Sequence, residues 1–243
     1  MIKSMYSSAT GMLAQERRLD VIGGNIANAN TDGYRRDAVT LRSFNEELVS
    51  RLPDDAAVGS LSTGAAVASV RADLSQSGLQ STGLTTDLAA EGDGFFAVDT
   101  GGTVAYTRDG NLHLDAQGYL ALSGGQRLLG ENGQPIYVGT DRFAVGSDGT
   151  VTVGAATAGR IRLYASAQAG GTVRQADGFF TLANPQATNG AVRQGYLEDS
   201  NVDVAQEMTT MMAATRSFGT CQQAFKTADD TLDQLLQAGS LRS

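Results

Sequence analysis

Both ends of this 243-residue chain carry an apolar residue at every seventh position, and the long segment between them lacks that pattern. The first stripe consists of Met5, Met12, Leu19 and Ile26, and the second of Val204, Met211, Phe218, Phe225 and Leu232. A spacing of seven places apolar side chains along one seam of a helix, and such a seam requires a partner helix. The sequence therefore predicts a long helix at each end, over about residues 3–28 and 200–238.

The segment between the stripes predicts a β domain, because turn dipeptides alternate there with short apolar runs. Asp-Gly or Asn-Gly pairs occur at 93–94, 109–110, 132–133, 148–149, 177–178 and 189–190. These pairs suit the positive φ angles of tight hairpin turns. We therefore expect a mainly β chain with long terminal α-helices. The helices should pair as a coiled-coil-like arm, and the central domain should be an irregular set of short antiparallel strands.

These patterns divide the chain into four predicted parts. Residues 1–52 form an N-terminal helical assembly arm and turn, and residues 53–83 a linker or extended segment that is loop-like over 53–66. Residues 84–197 form the β domain, and residues 198–243 a C-terminal helical assembly arm. Ser200 or Asn201 is the expected cap of the second helix, because their side chains accept hydrogen bonds from the first turn.

Composition excludes several classes of partner. A net charge of −8 leaves no basic excess to neutralise phosphates, so nucleic acid is not an expected partner. No apolar run approaches the roughly 20 residues of a membrane span. Residues 15–20 are polar and charged, so the start of the chain does not look like a cleaved signal peptide. The predicted location is the cytosol, or the outside of the cell by a route that uses no cleaved signal.

The sequence predicts neither an enzyme nor a cofactor site. His113 is the single histidine, and alternation in Leu112-His113-Leu114 places it on the outer side of a strand. Cys221 has no nearby histidine or second cysteine, so a packing role is expected. The stretch from Asn28 to Gly33 begins like a calcium loop, but the twelfth position is Val39 where a glutamate is needed, so we interpret it as a plain turn. No small-molecule substrate and no metal are expected.

Four motifs together resemble the bacterial flagellar rod and hook proteins. They lie at 25–34, at 79–83 with 87–89 and 92–96, at 106–111, and at 195–203 with Glu207, Met208, Met211 and Arg216, in an order that covers nearly the whole chain. The length is similar to that of the rod members of the FlgF/FlgG type and is shorter than that of the hook protein. The resemblance implies a structural subunit of the flagellar basal-body rod, which assembles into a helical tube and transmits torque from the motor to the hook.

The same resemblance implies partners and site residues. The expected partners are further copies of the chain in a helical array, other rod and hook subunits, and the flagellar export apparatus, whose channel the chain would pass without a cleaved signal. The nine stripe residues are the expected assembly interface, and we expect them to be satisfied in the polymer. The signature turn residues are Asn25, Asn28, Asn30, Thr31, Gly33 and Tyr34.

Three alternatives stay open at this point. The stripes are also compatible with ordinary amphipathic helices that pack on the chain's own β domain. The chain is also compatible with an extracellular binding module, whose β face would present exposed Tyr106, Tyr119 and Tyr164 to a sugar or a protein. A hook-type or hook-associated axial protein is the third alternative.

Overall fold

The computed structural model describes residues 2–51, 56–168, 170–175 and 178–240. One helix lies at each end of this part of the chain: α1 spans Ile2–Ala27 and α2 spans Val204–Ser240. Both bounds agree closely with the predicted helices. The cap of α2 is Asp203 instead of Ser200 or Asn201, since its Oδ1 accepts hydrogen bonds from the backbone N–H groups of Ala205 (2.9 Å) and Gln206 (3.1 Å).

Eighteen strands lie between the two helices within the described residues. Numbered in chain order, they are β1 Asp37–Arg51, β2 Ala56–Ala72, β3 Leu79–Ser81, β4 Leu88–Glu91, β5 Phe95–Asp99, β6 Val104–Thr107, β7 Leu112–Leu114, β8 Leu120–Leu122, β9 Arg127–Leu128, β10 Ala144–Val145, β11 Thr150–Val153, β12 Ala156–Arg160, β13 Leu163–Ser166, β14 Thr172–Arg174, β15 Phe180–Leu182, β16 Pro185–Ala187, β17 Ala191–Gln194 and β18 Tyr196–Glu198. The chain is thus mostly β with two terminal helices, as predicted.

The chain divides into two compact units. The first, here called the arm unit, takes its described residues from Met1–Ala27, Asp37–Arg71 and Asp203–Ser243. The second, here called the body unit, consists of Asn28–Arg36 and Ala72–Val202. The chain therefore passes from one unit to the other four times.

The arm unit contains α1, α2 and a two-stranded sheet of β1 and β2. The two helices pack against each other, and α1 also contacts β1. The loop predicted over 53–66 is wrong for residues 56–66, which belong to β2, while residues 53–55 lie outside the described residues.

The body unit is built from antiparallel strands. Its largest sheet has nine strands in the order β14-β15-β6-β5-β9-β8-β7, with β13 paired to both β5 and β16. A three-stranded sheet joins β10, β11 and β12. Two further pairs, β17 with β4 and β18 with β3, connect the last strands of the unit to the first ones.

Two clusters of buried side chains form the core of the body unit. The larger includes Leu88, Phe96 and Leu163, and the smaller packs Phe95, Tyr106 and Phe180 together. The predicted exposure of three tyrosines is wrong: Tyr106 is only 8% exposed, and Tyr119 and Tyr164 are half-buried. The ring of Tyr119 contacts that of Tyr137, and the ring of Tyr164 contacts that of Tyr106. Of the aromatic surface proposed for a binding module, Tyr106 therefore lies in the core and the other two tyrosines are partly covered.

The strands β12 and β13 are separated at Ile161 and Arg162. Ile161 is fully buried, and its N–H donates to the carbonyl of Gly149 (2.7 Å). His113 is exposed on β7, as predicted. Among the described residues, no helix has both the length and the apolar character needed to cross a bilayer.

Candidate functional site

The apolar stripe of α2 is its least exposed face. Met211, Phe218, Phe225 and Leu232 are half-buried, whereas Val204, at the first turn, is 40% exposed. The second seam position, three residues further on, includes Glu207 and Ala214, which are 6% and 0% exposed. Together these two positions make a partly covered face of the kind that packs against another helix.

The stripe of α1 is half-buried along its length. Met5, Met12, Leu19 and Ile26 are all partly covered, and Ile22, three residues after Leu19, is 4% exposed. Because α1 packs on α2, the partner of each helix lies in the same chain. Part of each stripe is therefore covered within one chain, whereas the role of the nine stripe residues as an assembly interface stays a prediction.

The helices run antiparallel and approach each other closely. A Cβ atom added at Gly11 would lie 3.0 Å from Sγ of Cys221, so the glycine makes room for the sulfur. Nearer the start of α1, Ser4 lines a cavity together with residues of α2 between Thr220 and Thr231. The N-terminal part of α1 therefore lies beside the C-terminal part of α2, which is the antiparallel arrangement. Cys221 has the packing role that its sequence context predicts.

Asn25 fixes the chain where it leaves α1 and where it begins β1. The side chain is 1% exposed, and its Nδ2 donates to the carbonyl of Asp37 (2.9 Å). The N–H of Asp37 in turn donates to Oδ1 of Asn25 (2.9 Å). Both hydrogen-bonding groups of one amide are used on one backbone position, which joins two points of the arm unit 12 residues apart.

The other signature residues form a turn in the body unit. The hydroxyl of Thr31 donates to Oδ1 of Asn28 (3.3 Å), and the N–H of Tyr34 donates to the carbonyl of Thr31 (3.2 Å). Gly33 has φ +66°, and a Cβ atom there would lie 2.4 Å from the carbonyl carbon of Arg108. Asn30 is exposed. The turn therefore depends on glycine twice, for its φ angle and for its close approach to another backbone.

Glu198 holds three segments of the body unit together. Its Oε1 accepts hydrogen bonds from Nη2 of Arg35 (2.6 Å) and from the N–H of Ser77 (3.0 Å). Its Oε2 accepts one from Nη1 of Arg108 (3.0 Å), and its carbonyl accepts one from the N–H of Gly33 (2.7 Å). The side chains of both arginines and of the glutamate are at most 2% exposed. We call Arg35, Arg108 and Glu198 the buried triad.

The buried triad carries one positive charge in excess, since two guanidinium groups share one carboxylate. Burial lowers the pKa of Arg108, and the attraction of Glu198 works against that shift. Nη2 of Arg108 also donates to the carbonyl of Gly92 (2.7 Å). Within the described part of the chain, Nε and Nη1 of Arg35 have no hydrogen-bond partner. The triad is therefore strongly dependent on the charge of Glu198.

Asn201 connects residue 36, which precedes strand β1, to residues 73–75, which follow strand β2. Its Oδ1 accepts a hydrogen bond from the N–H of Arg36 (2.6 Å). Its Nδ2 donates to the carbonyls of Asp73 (2.9 Å) and Ser75 (3.2 Å). Residues 36, 73 and 201 lie close to three of the four points at which the chain passes between the units. In the body unit, one side chain thus binds the backbone of all three segments.

Arg174 holds the signature turn from its other side. Its guanidinium lies 4.5 Å from the ring centre of Tyr34 and 4.9 Å from that of Phe180, and its Nη2 donates to the carbonyl of Arg35. A polar cavity of about 460 Å³ lies beside it. Asp109 lines this cavity, and its pKa is raised by burial and by the charges of Asp32 and Asp87.

Sequence reasoning located the stripes and the turn but missed the buried triad and Asn201 as a connector. Glu198 and Asn201 belong to the motif at 195–203, whereas Arg35 stands next to the quoted turn and Arg108 within the motif at 106–111. A pairing between residues 163 positions apart leaves no local pattern. Arg35, Arg108 and Glu198 each stand next to another charged residue, so their local sequence context does not mark them as buried.

Three protein-family models match the chain. The flagella basal body rod protein model matches residues 5–35, and the flagellar hook protein FlgE/F/G D1 domain model matches residues 89–153. The model for the C-terminal part of the flagellar basal body rod FlgEFG proteins matches residues 193–238. The first and third matches contain the signature turn, Glu198, Asn201 and all nine stripe residues.

Similarity to individual proteins extends over almost the full length. The chain is 34% identical to the flagellar basal-body rod protein FlgG of Bacillus subtilis, over 97% of this chain and 98% of that protein. It is 31% identical to the flagellar basal-body rod protein FlgF of Rhizobium meliloti, over 96% of each chain. It is 30% identical to the flagellar hook-basal body complex protein FlhO of Bacillus subtilis, over 96% of this chain and 97% of that protein.

Proposed function

The chain belongs to the family of flagellar basal-body rod proteins, and on that premise we propose that it polymerises through its arm unit into a helical tube that transmits torque from the motor to the hook. The family is structural, and the chain is a structural subunit of the flagellar rod or hook complex. An open helical array follows when one surface of a subunit binds a different surface of the next copy, without closing into a ring.

The antiparallel packing of α1 on α2 is the observation that carries this proposal. Each helix of the arm unit has its partner in the same chain, where its stripe is partly covered, and we propose that this preformed helix pair is a short coiled coil. Other apolar side chains of the pair are turned outward: Leu13 is 65% exposed, and Met208 and Met212 are each 54% exposed. Exposed apolar side chains on a helix pair suit further helix packing between subunits.

In this proposal the stripe residues support assembly by forming the helix pair. The signature turn and the buried triad support it by holding the parts of the body unit from which the chain passes into the arm unit. Four connections, instead of one, join the two units of a subunit. We propose that this multiple connection makes the subunit resist twisting, which a torque-transmitting tube requires. The division of the chain into the four predicted parts stays a proposal.

We also propose that the chain travels through the flagellar export channel without losing an N-terminal signal. The support is that the start of α1 has a structural role, since Met5 and Met12 belong to the stripe and Gly11 contacts α2. Mass spectrometry of the subunit from isolated basal bodies tests this point. A mature chain that begins after Met12 would contradict it.

The substitution Phe218→Asp tests the assembly proposal. It places a charge in the α1–α2 seam, at a cost of several kcal/mol if the charge stays buried. We expect secretion to continue, the body unit to stay folded, and rods to be absent from electron micrographs of basal bodies. Ser217→Asp is the matched control, because Ser217 is the exposed neighbour on the same helix. Normal rods from Phe218→Asp would refute the role of the seam.

A further inference from the structure

A shallow apolar groove runs beside α1 in the arm unit. It has a volume of about 250 Å³ and is lined by Tyr6, Thr10, Leu13 and Ala14 of α1 and by residues 65–67 of β2. Tyr6 and Leu13 are 48% and 65% exposed. From Ser4 to Gln15, α1 contains no charged residue. A solvent-facing helix of this length ordinarily carries charges, so their absence indicates a surface that becomes covered.

A ridge of exposed apolar side chains runs along the first turns of α2. Val204, Met208 and Met212 are spaced by four residues and are 40%, 54% and 54% exposed. At 100° per residue, Met208 and Met212 lie about a quarter turn or more around the helix from the seam that faces α1. No charged residue occurs from Met208 to Thr215. Methionine side chains adapt readily to an irregular apolar surface.

We propose that the methionine ridge of one copy of the chain binds the α1 groove of the next copy. The inference rests on the proposed function, since an open array needs two different, complementary surfaces on each subunit. The spacing fits: Met208 and Met212 are about 6 Å apart along α2, and Tyr6 and Leu13 about 10.5 Å apart along α1. Both methionines therefore fit between the two large side chains, above Thr10.

The flanking charges select a parallel arrangement of the two helices. With the ridge centred between Tyr6 and Leu13, a parallel α2 brings Asp203 level with Lys3 and Arg216 level with Glu16. An antiparallel α2 would bring Arg216 level with Lys3, which are like charges. Asp203, Arg216, Lys3 and Glu16 are all exposed at the ends of the two uncharged stretches. Complementary charges at the rim of an apolar contact fix its register and orientation.

Disulfide trapping tests the contact directly. In a Cys221→Ala background, one chain carries Leu13→Cys and a second, size-tagged chain carries Met212→Cys; the two are co-expressed and basal bodies are isolated. Each chain has one cysteine, so any disulfide must join two copies. We expect a mixed disulfide dimer from assembled rods and none from soluble subunits. Ser217→Cys replaces Met212→Cys in the control, because Ser217 is exposed on the opposite flank of α2.

The outcomes separate this inference from the proposed function. Rods without a 13–212 disulfide, or with an equal yield from the 13–217 pair, would overturn the ridge-and-groove contact and leave polymerisation intact. Absence of rods from the unmodified chain would overturn both. As an independent test, Glu16→Arg should lower incorporation into rods by roughly fivefold, and Arg216→Glu in the same chain should restore it. A loss that Arg216→Glu fails to restore would contradict the parallel register.

Discussion

Arg35 and Glu198, 163 residues apart in the chain, form an ion pair of 2.6 Å in which both side chains are fully buried. Arg108 binds the other oxygen of the same carboxylate at 3.0 Å. The pair joins the turn that follows the first helix to the strand that precedes the second. The body unit therefore depends on contacts between its first segment and its last one.

Glu198→Gln is expected to destabilise the body unit by about 3–5 kcal/mol, because it leaves two buried guanidinium groups without a compensating charge. The side chain keeps its shape, so lost charge is the main change. Urea unfolding followed by circular dichroism measures the effect. Glu91→Gln is the control, since the Arg193–Glu91 pair has a similar distance of 2.7 Å but is 49% and 45% exposed. Its loss should stay below about 1 kcal/mol. Equal effects would contradict the importance of burial.

Gly33→Ala is expected to cost clearly more than Gly83→Ala. Both glycines have a positive φ, +66° and +71°, and a residue with a Cβ pays about 1–2 kcal/mol for that conformation. A Cβ at Gly33 also meets the backbone of Arg108, whereas one at Gly83 meets no atom within 4 Å. Thermal unfolding of the two variants measures the difference. If both lose the same stability, the close approach at Gly33 has no energetic weight.

Asn201→Asp is expected to raise the rate of amide hydrogen exchange in the 73–75 segment more than at Arg36. Aspartate keeps the acceptor for the Arg36 N–H but turns a second oxygen toward the carbonyls of Asp73 and Ser75. Each polar group left without a partner costs about 1–3 kcal/mol when buried. Asn201→Ala should affect both segments. Asn132→Ala, at an exposed turn, is the control. If it raised amide exchange at residues 36 and 73–75 as much as Asn201→Ala does, the connecting role of Asn201 would be refuted.

Asp109→Asn is expected to stabilise the protein at neutral pH and to have little effect near pH 3. Burial, followed by the charges of Asp32 and Asp87, raises the pKa of Asp109 above its ordinary value of 3.8. The folded state therefore binds a proton more readily than the unfolded state, and stability falls as the pH rises through this interval. Melting temperatures of both proteins between pH 3 and pH 7 test the sign. A difference that is the same at both pH values would exclude this cause.

Gly11→Ala is expected to weaken the α1–α2 contact, and Cys221→Ala in the same chain should recover part of the loss. The added methyl group lies 3.0 Å from the sulfur, so removing the sulfur relieves the crowding. A double-mutant cycle should give a coupling of about 0.5 kcal/mol or more. Gly23→Ala has open space around its Cβ and should instead gain roughly 0.5–1 kcal/mol as a helix-interior change. Strictly additive effects would contradict the close approach.

The elements with a strong local period were predictable from the sequence. The stripes predicted both helices because a spacing of seven continues over four and five positions. The turn dipeptides were a weaker guide: the one at 148–149 lies between the paired strands β10 and β11, whereas those at 93–94, 109–110 and 189–190 join strands that do not pair with each other. The first part of β2 was missed because residues 56–66 are mostly alanine, glycine and serine, which are not typical of strands. Its strand pairing with β1 is a tertiary preference that no short window contains.

The candidate site was predictable in part for the same reason. Asn25 and Gly33 belong to a recognisable local motif, and their roles are local ones. Arg35, Arg108 and Glu198 come together only through the topology, since β18 pairs with β3 and β17 with β4. The methionine ridge was also missed, because Met208 and Met212 lie outside the seven-residue stripe.

The position of Glu198 and Asn201 near the end of the body unit has a consequence for a chain that emerges gradually, first residue first. Residues 191–201 supply the pairing strands of β3 and β4. They also supply hydrogen-bond partners for the Arg35 side chain and for the backbone of residues 36 and 73–77. Before residues 191–201 emerge, about four-fifths of the polypeptide is present, but the strands and side chains that complete the body unit are still missing. Completion of the body is thereby timed to the delivery of the final helix.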